Sequence, residues 1–343
     1  MNVFFSVSRY FVPAIACLAC LLIFSNNQVL AQSKVGTKAL TFLEIGVGAR
    51  GVGMGEAHVS STRDVASLYW NPAGITNIFR NEATFQHTTW IADSQLNYAA
   101  AAFGAGRNAH VGLQFYVFDS GNMDVTTVDF PDGTGEQFNV QDLKIGLTYA
   151  RKLTNRFAIG GSVKYISSRI WRMSTSAVAL DLGMQYHTPI DNLRLGFAIS
   201  NFGEDITLTG DNTSVRVDLD RNSTGTNDAL LGDLRLGAWD LPLMFRIGSH
   251  YKFNLGELQS VILSADAIYP NNDDPFVNAG MEYGFRDMVF LRGGYSRLFL
   301  PDAEGHFRLG FGVAISNTIR ADYAYSDRGR LGGSNLLGAT IMF

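Results

Sequence analysis

From about Glu82 to Phe343 the chain alternates. Apolar side chains recur at every second position over segments of roughly ten residues, small or polar side chains fall between them, and turn residues separate the segments. Val111, Leu113, Phe115 and Val117 share one face, with Gly112, Gln114 and Tyr116 on the other. Leu143, Ile145, Leu147 and Tyr149 oppose Lys144, Gly146 and Thr148 in the same way. Phe245, Ile247 and Tyr251 oppose Arg246, Gly248 and His250, and Phe307, Leu309, Phe311 and Val313 oppose Arg308, Gly310 and Gly312. A period of two predicts strands with one apolar face. Segments begin near residues 82, 95, 109, 137, 156, 174, 193, 242, 258, 275, 288, 305, 317 and 334, which predicts about fourteen strands.

A soluble sandwich would alternate too. Three features favour a closed sheet in a lipid bilayer instead. Arg, Lys, Asp and Glu stand mid-strand on the polar face, as a water-filled lumen tolerates. Aromatics recur near strand ends (Tyr98, Phe103, Tyr186, Tyr251, Tyr269, Tyr283 and Tyr295), where an interfacial girdle would lie. The chain ends on an alternating strand, with Leu337, Ala339, Ile341 and Phe343 on one face. In lipid every backbone group must find an internal partner, so such a sheet has to close. The expected fold is all-β, a transmembrane antiparallel β-barrel of about fourteen strands. Asn155-Arg156, Arg286-Asp287 and Ser316-Asn317 read as short periplasmic turns, and Asp119–Val140 and Gly203–Leu241 as long outer links.

Composition fits this reading. Glycine (36) and phenylalanine (24) are abundant and proline (8) is scarce. Arg9 is the only charge among the first 31 residues, Phe11 to Phe24 is apolar, and Val29-Leu30-Ala31 resembles a cleavage site. Residues 1–31 therefore read as a secretory signal peptide, too short for a membrane anchor. Both cysteines, Cys17 and Cys20, lie within it, so the exported chain has no thiol chemistry. Setting the signal aside removes one of 27 basic residues and none of the 31 acidic ones, a balance that disfavours a nucleic-acid partner.

Between signal and strands, residues 32–80 read as an N-terminal plug segment, with residues 81–343 forming an outer-membrane β-barrel. The segment holds the densest unusual chemistry. Gly46, Gly48, Gly51, Gly53 and Gly55 crowd into ten residues, which allows close backbone approach or positive φ. A short helix is expected at about Asp64 to Trp70, ended by Asn71-Pro72, with Asn71-Pro72-Ala73-Gly74 leading into the first strand. Gly46-Val47-Gly48-Ala49-Arg50-Gly51 matches GxGxxG after a possible strand at Thr41–Ile45. It lacks the βαβ unit that a dinucleotide site needs, so no cofactor is expected. His58, His87, His110, His187, His250 and His306 are not at metal-ligand spacing, and no GxSxG elbow is present. Asp218–Asn222 and Asn271–Asp274 could hold calcium, but neither has an EF-hand's Gly and Glu placement, so solvated loops are expected. No catalytic set is found, and the chain is expected not to be an enzyme.

Phe42–Arg50, then Gly53-Met54-Gly55-Glu56-Ala57, then Ala66–Gly74 resembles the N-terminal signature of the PorV/PorQ family, outer-membrane proteins of the type IX secretion system. The same region is similar, more distantly, to FadL-type transporters, whose plug also carries Asn-Pro-Ala. Val125–Asp129, Gly133–Glu136 and Gly161–Tyr165 extend the likeness into the barrel. The resemblance implies a fourteen-stranded outer-membrane barrel and a plug. It also implies a non-enzymatic role binding or shuttling secreted cargo, with secretion subunits and cargo sorting domains as partners beside outer-membrane lipid. Its plug motif falls on Gly46, Gly48, Arg50, Gly53, Met54, Gly55, Trp70, Asn71, Pro72, Ala73 and Gly74. The alternative is FadL-like transport of hydrophobic small molecules, which calls for an apolar pocket beside the plug, lined by Phe42, Leu68, Trp70 and Ile75, and a lateral gap in the wall.

Overall fold

The computed structural model describes residues 38–217, 230–300 and 303–343. The expected signal peptide and the Asp218–Asn222 loop lie outside the described residues.

Fourteen antiparallel strands form one closed sheet among these residues. They are β1 (Glu82–Thr89), β2 (Gln95–Gly104), β3 (Ala109–Asp119), β4 (Val140–Lys152), β5 (Phe157–Ile170), β6 (Met173–His187) and β7 (Leu193–Gly203). The second half comprises β8 (Met244–Asn254), β9 (Gln259–Pro270), β10 (Phe276–Phe285), β11 (Val289–Leu298), β12 (Phe307–Ala314), β13 (Ile319–Asp327) and β14 (Gly333–Met342). Each strand pairs with the next. β1 closes the ring against β14, from Glu82 opposite Met342 to Thr89 opposite Asn335. Closure removes both edges, the condition that lipid imposes on a sheet.

The alternation decides which face meets lipid. Leu147 and Leu337, at 63% and 61% exposed, point outward, while Lys144, Gln114 and Glu282 point inward and are buried. A charge on the outer band has no partner and no water. Leu147→Arg, near the middle of β4, should therefore destabilise the barrel by about 2–4 kcal/mol in vesicles. Urea unfolding followed by tryptophan fluorescence measures the loss; an unchanged midpoint would place Leu147 away from the hydrocarbon.

Links alternate between the two ends because the strands do. Asp119–Val140 and Gly203–Leu241 lie at one end, with the short turns at the other, and long loops belong to the outer side of such barrels. Each long link carries a small hairpin of its own, Met123–Asp124 on Gln137–Phe138 and Ser214–Val217 on Leu230–Asp233. At the short end Arg286 and Asp287 both take left-handed φ (55° and 51°), in the tight three-residue turn, Arg286 to Met288, between β10 and β11.

The lumen of the barrel is occupied. The N-terminal segment plugs it. Lys38 pairs with Asp240 in the long outer link, and the chain then descends through the barrel to Glu82 at the opposite end. Thr41–Glu44, read from the sequence as part of a strand, is a 3-10 turn. The glycine run, assigned no helix, forms the short helix α1 (Ala49–Gly53). The helix expected at Asp64–Trp70 is shorter, α2 (Ser67–Trp70). Asn71-Pro72 ends it, yet the chain does not turn straight into β1. It coils again over Pro72–Asn77, because Pro72 suits a first helical position and the Asn71 side chain caps it by accepting from the Ala73 N–H.

Tyr98 leaves the expected girdle. It is fully buried in the lumen, edge-on to Tyr116, because its position in β2 falls on the inward phase.

Candidate functional site

Plug and wall meet without side chains at two places. A Cβ on Gly280 would collide with the carbonyl of Met54, and one on Gly294 with the Gly55 N–H. Across the lumen, a Cβ on Gly160 would sit 2.6 Å from the Ala73 nitrogen, and one on Gly196 2.6 Å from the Val59 carbonyl. The plug is thus wedged backbone to backbone between β10–β11 and β5–β7, which only glycine on the inward phase permits.

Charges complete the seat. Arg50 on α1 reaches Glu282 on β10 with two hydrogen bonds, Nε at 2.8 Å and a terminal nitrogen at 2.9 Å. Glu282 also accepts from Arg292 on β11 at 2.8 Å, and Arg292 donates to Asp322 on β13 at 2.7 Å. Asp322 accepts from Arg320 at 2.9 Å, Arg320 lies 3.5 Å from Asp64 on the plug, and Asp64 lies 3.8 Å from Arg50. Three arginines and three carboxylates therefore alternate in a ring joining the plug to three strands of wall, β10, β11 and β13. A buried charge is tolerable only when paired and hydrogen-bonded, and here each sign is neutralised by its neighbours.

The loop from His58 to Thr62 docks on the other wall. The Val59 N–H donates to Asp266 at 2.8 Å, and Gln185 donates to the Thr62 hydroxyl at 2.8 Å. His58 is fully buried, with Nδ1 at 2.6 Å from the Ser61 hydroxyl and no partner for Nε2. Burial, reinforced by the Arg50 charge, pushes its pKa down from 6.5 to about 3. The docked plug binds the neutral ring, so its stability is full above pH 6.5 and falls as the pH drops towards 3. Plug docking should weaken by about 1.4 kcal/mol per pH unit through that window. Hydrogen exchange of the plug amides at pH 7 and pH 5 measures the change, and His58→Gln should flatten it; an equal slope in the variant would move the titration to another group.

The motif residues serve this seat. Gly46 lies against the Trp70 ring, where a Cβ would be 3.0 Å away. Gly48 takes φ 83° and donates to Gln86 at 2.7 Å. Gly53 abuts Gly310, and Gly74 abuts Thr62 and Ser67. Trp70 donates from Nε1 to the Val47 carbonyl at 2.8 Å. Asn71 ties the plug to itself through Val59 (2.9 Å) and to the wall through Met184 (3.0 Å).

Among these residues only Trp70 lines a cavity of about 240 Å³ at the loop-rich end, between the plug and β8–β11. Thr41, Glu44 and Glu56 join it from the plug. Met244, Ile268, Pro270 and Phe276 supply apolar wall, while Arg246, Asp273 and Arg297 supply charge. The apolar pocket expected from Phe42, Leu68, Trp70 and Ile75 does not form, because Phe42, Leu68 and Ile75 are sealed in a core shared by the plug and the wall, with Phe42 stacked on Tyr116. Among the described residues each strand of the wall stays paired with both neighbours, with breaks in register at two seams. The wall is bulged near Asn201, between β6 and β7, and near Val277, between β10 and β11. Arg246, Glu44 and Glu282 were missed as site residues. For Arg246 and Glu282 the signal was present, as charges on the inward phase of their strands, but it carried no indication of partner; Glu44 lies in the plug, outside any strand phase. Among the described residues no cluster of His, Cys, Asp or Glu could hold a metal, and in the Asn271–Asp274 link Asp273 pairs instead with Arg297 at 3.4 Å.

No family model matches the chain, and none of the curated proteins matches it. Solved structures do. The toluene transporter TodX of P. putida superposes with a TM-score of 0.60 at 14% identity, covering 87% of this chain and 99% of TodX. The toluene transporter TbuX of Ralstonia pickettii gives 0.55 at 13% identity, covering 87% and 98%. A FadL homologue of Pseudomonas aeruginosa gives 0.54 at 13% identity, again covering 87% and 98%. These likenesses extend to the fold, and none of the comparisons shows the PorV/PorQ resemblance. With its closed sheet, apolar outer band and plugged lumen, the chain is an outer-membrane β-barrel of fourteen strands with a FadL-like fold.

Proposed function

We propose that the barrel carries small molecules with substantial apolar surface across the outer membrane, the plug acting as its gate, without catalysing a reaction. The cavity between plug and wall carries this reading. Its 240 Å³ equals the share of about eight waters, it lies at the outer end, and Trp70, Met244, Ile268 and Phe276 give it an apolar side. TodX and TbuX, which share the fold, are toluene transporters, in keeping with such cargo. Expressed in a host whose outer membrane limits entry, the barrel should raise uptake of small aromatic compounds several-fold. Uptake equal to an empty-vector control would overturn the proposal.

A second reading is a type IX secretion component that binds cargo sorting domains. The signature at Phe42–Gly74 favours it, as do the long outer links with Val128 (99%) and Leu231 (76%) exposed at their hairpins. Deleting the gene in its own host should then strand cargo in the periplasm, and normal surface display would remove this reading.

A further inference from the structure

We infer that the cavity is built for a small zwitterion with an apolar body, of the amino-acid type, rather than for a hydrocarbon. The inference rests on the transport reading and narrows its substrate.

Arg246 is the first observation. It is buried on β8 and lines the cavity. Its terminal nitrogens meet only the Ser200 hydroxyl at 3.0 Å and the Met244 sulfur at 3.3 Å. No carboxylate among the described residues lies within ion-pair distance. Arg50 and Arg292, buried in the same lumen, are both carboxylate-paired. The guanidinium sits 5.7 Å from the centre of the Trp70 ring and 5.8 Å from that of Tyr69. Lys144, also buried and without an ion pair, lies 4.8 Å from the same Tyr69 ring. One end of the site is therefore short of negative charge.

The plug side of the cavity carries a carboxylate without an ion pair. Glu44 on the plug has Asn272 as its hydrogen-bond partner and no ion pair, and burial raises its carboxyl above the usual range. Glu56 has only Arg308, at 4.0 Å. Asp273 and Arg297 already neutralise each other at the rim. The N–H fork of Arg246 suits a carboxylate, the Glu44 carboxylate suits an ammonium, and the apolar lining of Trp70, Met244, Ile268 and Phe276 suits an apolar body. A hydrocarbon filling this space would strip water from Arg246 and Glu44 and return nothing, a cost that weakens binding.

Calorimetry on the purified barrel in detergent micelles tests this with four probes: L-phenylalanine, phenylacetate, phenethylamine and toluene. Phenylalanine should bind most tightly. Arg246→Gln should weaken phenylalanine and phenylacetate by about 30-fold and leave phenethylamine unchanged. Glu44→Gln should weaken phenylalanine and phenethylamine and spare phenylacetate. Each variant is first checked for the fast migration of a folded barrel on an unheated gel, so that a lost barrel is not scored as a lost contact. Toluene binding as tightly as phenylalanine, or either single-charge probe doing so, overturns the zwitterion and leaves transport standing. A folded barrel that binds none of the four overturns both.

Discussion

Arg50→Met should unseat the plug while leaving the barrel closed. The substitution keeps much of the side-chain volume but leaves Glu282 with one arginine instead of two and takes one of the two cations from Asp64. Breaking a buried pair from one side costs about 3–5 kcal/mol, because the remaining charge stays buried and under-compensated. That cost falls on docking alone. Every strand-to-strand hydrogen bond is unaffected, since Arg50 belongs to the plug. In planar bilayers the wild type should stay mostly closed and the variant should open frequently. Protease added from the outer side should reach residues 49–77 in the variant and not in the wild type. Arg50→Lys should fall between them, since an ammonium cannot reproduce the two-pronged contact with Glu282. Matching conductance and protease resistance in wild type and Arg50→Met would mean that the ring of charges does not hold the plug.

Gly294→Val should give the same open barrel by a different route. Valine favours a strand, so the wall itself gains. Its Cβ, however, would occupy the space of the Gly55 N–H and the Met54 carbonyl carbon. Neither is the end of a flexible side chain, so the plug must move as a unit. The expected loss of docking is comparable to that of Arg50→Met, with fast gel migration retained and thermal stability of the barrel equal or higher. Combining the two should add little, because a plug already displaced cannot lose its ion ring a second time. Additive effects on conductance would show that the glycine contacts and the ring hold separate parts of the plug. A closed Gly294→Val barrel would show that the contact yields without displacing the plug.

Much of this architecture was legible before any tertiary structure. A strand's side chains alternate whatever lies beside them, so the period of two marked the strands, their starts and their inward phase. The closed sheet followed because lipid leaves no backbone group unpaired. Tyr98 shows the weak point of that reading: its place near a strand end suggested a girdle, while its phase put it in the lumen. The short elements were less legible. Thr41–Glu44 and Ala49–Gly53 coil because wall and plug surround them, and nothing in their own propensities requires it.

What the sequence determined by itself is therefore the local part: strand, phase, and a glycine-rich segment suited to close packing. The tertiary structure alone decided which inward residues meet. Arg50 and Glu282 stand 232 positions apart. Mid-strand charges on the polar face were equally consistent with a wet pore, and closure of the barrel around the plug turned most of them into pairs. It also left Arg246 and Glu44 beside one cavity without ion pairs. Alternation is a property of one strand, whereas pairing depends on how all fourteen are arranged around the same segment of chain.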